Sequence, residues 1–433
     1  MNPLGHSLFW RVANSAVFRA MSKMIGATSI GQLAILASLP LVTRLYDPHA
    51  FGLHALLAAF VAVASVGSCL SLELAIVQAP SDQVADHLCA AAILSSALTA
   101  ILSALLVAAL VFGKLLGYGE LQWWSIPLTA VMVCLNGVYV ASRYRQLREQ
   151  RYGLLARTSL SQSLGRALAP LGWFLIFPTW LGLTLGELSG RALGVKTLVL
   201  PLWSQLHATH VWRDWRVWWS TVCRERRYTV VLLSVVLIDA GASALIAPLL
   251  ASSFGANVAG EYFLVATLLV APAALLGTAA ADVLHTRGAL LNRTAPEQLP
   301  TFVHRAAVLL LLAGTVIYLP VFFFAADVIP MFFGKKWLLA APIAQAMTPY
   351  MIVAFAAGPC SRLLIVLERT ELKVISDVVR LVGVPIVIVG TTATKVPFEV
   401  AIWVLTWFLT IAYSIYLVIT LFAVHQNFSK ILR

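Results

Sequence analysis

Four arginines, Arg44, Arg166, Arg191 and Arg380, fall inside or at the rim of long apolar stretches of this 433-residue sequence. An ionised side chain at mid-span costs about 2.5–3.5 kcal/mol on insertion scales, so it faces a cavity or a partner. A guanidinium stays charged and presents a planar fork that matches phosphate oxygens two at a time. The chemistry these positions offer is anion binding. The competing reading is an ion pair closed within one helix. Glu187 and Arg191 stand at i,i+4, Asp377 and Arg380 at i,i+3, and Arg44 has Asp47 close by in its turn, so for Arg44, Arg191 and Arg380 both readings stand. Arg166 has no acid at such a spacing and reads as an anion contact. Among the acids, Glu73 and Asp239 stand out. Asp239 has no base at i±3 or i±4 and reads either as a site for a coupling proton or cation or as a partner of Arg166.

Nothing else in the chain carries chemistry. No pair of histidines has ligand spacing, and no phosphate loop, dinucleotide fingerprint or zinc motif occurs. The five cysteines, Cys69, Cys89, Cys134, Cys223 and Cys360, are scattered and read as small apolar residues. The expectation is no metal and no cofactor, with the membrane potential, or a proton or sodium ion, as the energy source.

The elements that position these residues follow from composition. The chain is 60% hydrophobic and 11% charged, with a mean hydropathy of +0.88. That is too few charges to coat a soluble surface, where roughly 25% is usual, so the chain is a polytopic membrane protein. A helix needs about 20 apolar residues to cross a bilayer. Twelve spans are expected, at 24–44, 53–79, 88–112, 123–142, 155–177, 181–201, 229–251, 259–283, 302–325, 342–365, 373–392 and 398–423. The fifth and sixth are weakest, because Arg166, Glu187 and Arg191 interrupt them. Arg166 then lies roughly 16 Å from the inner end of its span, at 1.5 Å per residue.

With the N-terminus inside, 21 of the 30 Lys and Arg residues fall on inner segments and five on outer ones. This bias places both termini in the cytoplasm. The formal charge of +12 is thus largely topological, and it suits anionic membrane lipids as partners, not nucleic acid. Residues 7–20 mix aromatics with Arg and read as an interfacial helix or a basic tail. The inner stretch "HVWRDWRVWWSTVCRERRY" alternates Trp and Arg, as an interfacial amphipathic helix does. The expected domains are an N-terminal segment 1–23, an N-lobe 24–201, a basic linker 202–228, a C-lobe 229–423 and a tail 424–433.

The two lobes look like copies. Pro40 and Gly52 of "LPLVTRLYDPHAFG" recur 208 residues later as Pro248 and Gly260 of "APLLASSFGANVAG". Glu73 falls near Asp282, "LQWWSIPLTAVMV" resembles "KKWLLAAPIAQAM", and "LREQ" resembles "LERT". Six spans separate the copies, so they are parallel repeats, an architecture that places substrate near the midplane between repeats. The fold class is all-α, with about twelve transmembrane helices in two six-helix lobes.

The stretch "GQLAILASLPLVTRLYDPHAFGLHALL" with a downstream "SLELAIV", and the later "FFGKKWLLAAPIAQAMTPYMIVAFAAGPCSRLLIVLERTEL", resemble the Wzx-type O-antigen and exopolysaccharide flippases of the multidrug/oligosaccharidyl-lipid/polysaccharide (MOP) exporter superfamily. The resemblance reaches both halves. It implies a V of two lobes that opens to either side in turn. It also implies translocation of an undecaprenyl-diphosphate-linked oligosaccharide from the inner to the outer leaflet of a bacterial inner membrane, feeding surface polysaccharide (O-antigen or exopolysaccharide) synthesis. Polysaccharide polymerase or assembly proteins are then implied partners. On this view Arg44, Arg166, Arg191 and Arg380 form a cationic track for the diphosphate, with Arg44 at the outer exit. A cation-coupled multidrug antiporter of the same superfamily is the second reading, which the excess of arginine over acid at mid-span opposes. A membrane-embedded polymerase or ligase is the third, opposed by the short outer loops.

Overall fold

The computed structural model describes residues 16–209, 212 and 215–431. The principal helices are α1 (Ala16–Leu45), α2 (Pro48–Gly67), α3 (Leu72–Gln78), α4 (Asp82–Phe112), α5 (Ser125–Arg148), α6 (Tyr152–Phe174), α7 (Trp180–Ala192), α8 (Trp215–Arg224), α9 (Leu233–Ala244), α10 (Ile246–Phe254), α11 (Ala256–Pro272), α12 (Thr278–Thr294), α13 (Leu299–Phe333), α14 (Ala340–Val366), α15 (Thr370–Ala393) and α16 (Phe398–Ile431). The described residues contain no strand. The expected segment 1–23 lies mostly outside them.

Nine stretches are long and apolar enough to cross a membrane among the described residues, and each coincides with one of the twelve expected spans. The chain is a multi-pass membrane protein. The other three expected spans are the charged ones. Helices α6 and α15, of 23 and 24 residues, reach roughly 35 Å at 1.5 Å per residue and are long enough to cross. The expected span 181–201 is not one helix. It stops at Ala192, Gly194 turns left-handed at φ +81, and only short helical pieces follow. The expected span 53–79 is also interrupted. Helix α2 ends at Gly67, Leu70 and Ser71 take φ values of 53 and 56, and α3 restarts at Leu72. The Cys69 Sγ donates to the Gly137 carbonyl at 3.3 Å, which seats this break on α5.

The chain divides into two compact units by contact. Of the described residues, unit 1 comprises those within 16–45, 60–113 and 121–237, and unit 2 those within 46–59, 114–120 and 238–431. In unit 1, α1 lies along α6, α4 along α5 and α6 against α7. Amphipathic α8 turns Trp218 and Val222 inward, with the Trp218 indole N–H donating to the Ser95 Oγ at 3.0 Å, and leaves Trp215 and Trp219 exposed. In unit 2, α14 is central, packed by α12, α13 and α16. Its buried face is rich in alanine, including Ala344, Ala346, Ala356 and Ala357. Small residues matter because lipid tails are as apolar as leucine, and helices in a bilayer associate through close packing instead.

The sequence repeat has a structural counterpart in unit 2. Asp47 caps α2 by accepting the Ala50 N–H at 2.7 Å, and Pro48 takes the first helical position, where no N–H is needed. Helices α2 and α11 cross so closely that a Cβ on Gly52 would stand 1.8 Å from the Ala256 carbonyl oxygen, and one on Gly260 would stand 1.9 Å from that of Pro48. The offset from Pro48 to Ala256 equals that from Gly52 to Gly260, the same 208 residues read from the sequence. The contact is therefore reciprocal. Around it, Phe51 meets the buried Trp337 edge-on at 4.9 Å, the Lys336 Nζ donates to the Tyr46 carbonyl at 2.5 Å, and His49 pairs with Glu120 at 2.9 Å. Burial pushes the Lys336 ammonium below its ordinary pKa against the pull of Asp47, and lifts the Tyr46 hydroxyl to about 12. The polar turn at 39–52 is largely structural in its Asp and His.

The copies agree elsewhere. Residues 68–71 break the first, and a π-helical segment, Ala273–Gly277 after Pro272, interrupts the second at the equivalent place. A proline with no N–H to give is an ordinary cause of such a bulge. Helices α5 and α14 end in the same C-terminal motif. Arg151 N–H bonds the Gln146 carbonyl and Gln150 that of Leu147, while Arg369 bonds Leu364 and Glu368 bonds Ile365. Gln150–Arg151 thus corresponds to Glu368–Arg369, two residues from the pairing that "LREQ" and "LERT" suggest. Gln150 and Glu368 both hold φ 56, a conformation costing a side-chain-bearing residue roughly 1–2 kcal/mol. Glycine removes that strain at an entropic cost of about 0.5–1 kcal/mol. Glu368→Gly is accordingly expected to stabilise the protein by about 0.5–1 kcal/mol, seen as a higher thermal midpoint in detergent; an unchanged or lower midpoint contradicts it.

Candidate functional site

Unit 1 gathers its charges where α5, α6 and α7 meet. Glycines allow the approach: a Cβ on Gly186 would lie 2.7 Å from Pro170 backbone atoms, and one on Gly190 would lie 2.4 Å from the Arg166 nitrogen. This contact sets Arg166 beside the α7 face that carries Glu187. The Arg191 guanidinium donates to the Glu187 Oε1 from Nε at 2.9 Å and from a terminal nitrogen at 2.6 Å, and reaches the Asn136 Oδ1 on α5 at 3.2 Å. A terminal nitrogen of Arg166 lies 3.7 Å from the same Glu187 oxygen. Gln162 ties α6 to α7 through the Arg191 carbonyl at 2.7 Å. The intrahelical pair of Arg191 is formed. The partner of Arg166 comes from the neighbouring helix, where a spacing rule applied to one helix does not look.

The balance of this cluster is one carboxylate to two guanidiniums. Arg166 and Arg191 keep 38% and 28% of their side-chain surfaces exposed, while Glu187 keeps 13%. One positive charge remains in excess, with donors open to an incoming anion.

A further arginine was not singled out from the sequence. Arg143 on α5 is half-buried and makes no hydrogen bond or ion pair among the described residues. On α5 it stands four residues from Tyr139 and next to Tyr144. Its signal in the sequence was the lack of any acid at i±3 or i±4, the criterion that marked Arg166. Its neighbour Arg145 is different. It is 2% exposed and bound to Asp86 at 2.6 Å and Glu149 at 2.9 Å, which fixes α5 to α4.

Unit 2 holds a second cluster, of α9, α15 and α16. Arg380 donates to Asp239 at 2.9 Å, to the Tyr413 hydroxyl at 2.7 Å and to Asp377. Its guanidinium lies over the Tyr413 ring, 4.9 Å from the centroid. Lys373 bonds Asp377 at 2.6 Å and Asp239 at 3.2 Å. Two acids meet two bases, so the cluster is neutral. Asp377 is 2% and Arg380 7% exposed, against 47% for Asp239. Asp239 thus finds its partners on α15.

Glu73 opens α3 just after the break, and its buried Oε2 lacks a hydrogen-bond partner among the described residues. Arg44 stands exposed in the last turn of α1. Glu261 on α11 is buried, and its Oε2 has no hydrogen-bond partner among the described residues.

A family model described as polysaccharide biosynthesis protein matches residues 41–342. Among solved structures, the lipid II flippase MurJ in an inward closed conformation superposes with a TM-score of 0.69 at 13% identity, covering 96% of this chain and 90% of that one. An inward-facing multidrug resistance MATE family transporter of the MOP superfamily gives 0.60 at 11% identity, with 94% of each chain covered. A MOP superfamily transporter from Pyrococcus furiosus gives 0.59 at 13% identity, with 96% and 98% covered. These likenesses establish a MOP-type fold. No curated protein sequence matches the chain.

Proposed function

The chain belongs to the polysaccharide biosynthesis protein family and has the MOP-type fold, and from that premise we propose that it is a flippase for a lipid-linked oligosaccharide. Its substrate is an undecaprenyl-diphosphate-linked repeat unit, carried from the inner to the outer leaflet of a bacterial inner membrane for surface polysaccharide synthesis. The observation that carries this reading is the unit 1 cluster, where Arg166 and Arg191 share the single carboxylate of Glu187 and remain partly open. A diphosphate accepts bidentate hydrogen bonds from both guanidiniums. Arg44 is the exit-side contact.

The energetics suit this cargo. One charge crossing 100 mV is worth about 2.3 kcal/mol, so a diphosphate of charge about −2 gains roughly 4–5 kcal/mol moving outward through an inside-negative potential. The arginines bind it without travelling with it, so the substrate carries the charge. For a cation-coupled drug antiporter, Asp239 is the acid to consider. Its carboxylate already faces Lys373 and Arg380, which opposes cation binding there.

Arg380 is assigned to holding α15 against α9 and α16. Its two terminal nitrogens bond Asp239, Asp377 and Tyr413.

Each charge-assisted hydrogen bond is worth about 1.5–3 kcal/mol, so the double variant Arg166→Gln, Arg191→Gln is expected to lower the flipping rate at least a hundredfold. The readout is accumulation of lipid-linked repeat units on the cytoplasmic leaflet of cells deleted for the chromosomal copy. Surface polysaccharide at the parent rate from the double variant would sink the proposal.

A further inference from the structure

At one end of unit 1, the last turns of α3 and α5 and the π-helical segment Arg227–Leu232 border a half-open cavity of about 390 Å³. Leu74, Val77, Leu147 and Leu232 form its apolar wall, with the rings of Tyr144 and Tyr228. Small-ligand clefts begin at about 300 Å³, a size that takes a segment of one hydrocarbon chain. The wall is held open by polar bonds behind it. One Arg148 terminal nitrogen donates to the Val77 and Ala79 carbonyls at 3.1 and 2.7 Å, securing the end of α3 as a cation at a helix C-terminus does. The Tyr228 hydroxyl donates to the Gln78 Oε1 at 2.8 Å and joins the π-helical segment to α3. Such π-helical turns recur at functional sites.

What marks the occupant is the charge beside it. Arg143 precedes Tyr144, is half-buried, and has no acidic partner among the described residues. Along α5, Leu147, Arg143, Tyr139 and Asn136 follow one helical face at spacings of three and four residues, with Tyr144 next to Arg143. Asn136 is the residue that meets Arg191. Over roughly 16 Å of helix, at 1.5 Å per residue, the surface passes from an apolar cavity to an unpaired cation to the Arg191–Arg166 cluster. An amphiphile with one hydrocarbon chain, a phosphate and a polar remainder meets these features in that order.

We propose that this cavity receives the phosphate-proximal part of a single polyprenyl chain, with Arg143 on the phosphate that ends it. The inference rests on the lipid-linked reading of the function and places its tail in unit 1. Undecaprenyl phosphate is the probe, titrated against the purified full chain in phosphatidylcholine nanodiscs, with thermal unfolding as the check of folding. Val77→Trp and Leu232→Trp fill the cavity from opposite walls. Each is expected to weaken binding of undecaprenyl phosphate at least tenfold. Arg143→Gln is expected to weaken undecaprenyl phosphate by a similar factor and to leave the phosphate-free alcohol undecaprenol unchanged. Folded tryptophan variants that bind as the parent does would overturn the inference while leaving the flippase reading intact. So would displacement of the probe by phosphatidylglycerol at equal concentration, which would mark a general phospholipid niche. A parent that binds no undecaprenyl phosphate overturns both readings.

Discussion

Gly52→Ala and Gly260→Ala are expected to destabilise the protein by 3 kcal/mol or more each, roughly the upper end of what overpacking costs. Most small-to-large changes are relieved when a flexible side chain turns away. Here the new methyl group meets backbone: the Ala256 carbonyl oxygen at 1.8 Å and carbon at 2.6 Å in one case, the Pro48 oxygen at 1.9 Å and the Gly52 nitrogen at 2.7 Å in the other. No rotamer change removes those atoms, so α2 and α11 must part over their whole crossing, taking Phe51 off Trp337 and Lys336 off the Tyr46 carbonyl. Because the contact is reciprocal, the two variants should lose similar amounts. Gly358→Ala is the control. A Cβ there meets nothing within 4 Å, and alanine gains about 1 kcal/mol of helix propensity over glycine. Thermal midpoints in detergent measure all three. Parent-like midpoints for Gly52→Ala and Gly260→Ala would mean that the crossing does not hold the protein together.

Arg380→Met is the second large effect. Among the described residues it removes the only side chain bonded to Asp377, Asp239 and Tyr413 together, and leaves the Asp377 carboxylate, 2% exposed, with Lys373 as its one remaining charged partner there. Removing one partner of a buried pair costs about 3–5 kcal/mol, whereas removing both as a unit is often neutral. The double variant Arg380→Met, Asp377→Leu retains the Lys373–Asp239 pair and a neutral cluster. It is therefore expected to recover most of the loss, with a coupling energy of 2 kcal/mol or more in the cycle, roughly the upper part of the range for contacting residues. A single variant as stable as the parent, or a double variant showing simple additivity, would remove the cluster from the account of how α15 is held.

Nine spans were legible because twenty apolar residues in a row leave a lipid-facing helix few alternatives. The charged spans were less so. Hydropathy averages over Arg166, Glu187 and Arg191 without knowing that they face one another, and partners on different helices leave no mark at i±3 or i±4. The same reason hid the bonds of Asp239 to Lys373 and Arg380. The break after Gly67 was hidden because Leu70 and Ser71, ordinary residues, take the left-handed turn; the stop at Ala192 had Gly194 as its signal. Arg143 was legible by the test that marked Arg166, but it sat among basic residues attributed to topology. The repeat was read from the Pro-to-Gly spacing and the Trp and Pro match, and the geometry of Gly52 and Gly260 explains the glycines: their spacing is fixed by contact between the copies, so the composition around it is free to drift.

The reciprocal crossing has the form of an isologous interface, in which residue i of one subunit meets j of the other and j meets i. Two separate half-length chains joined this way would feel every substitution twice. One continuous chain is released from that rule, and its two sides need not match. Asp47 and His49 in one copy have Gly255 and Asn257 as their counterparts in the other. Trp337 is fully buried against Phe51 while Trp123, its counterpart in the other copy, stands 57% exposed. Asymmetry of this kind is open to a fused dimer and closed to a symmetric one, and it allows one copy to specialise while the glycines keep the joint.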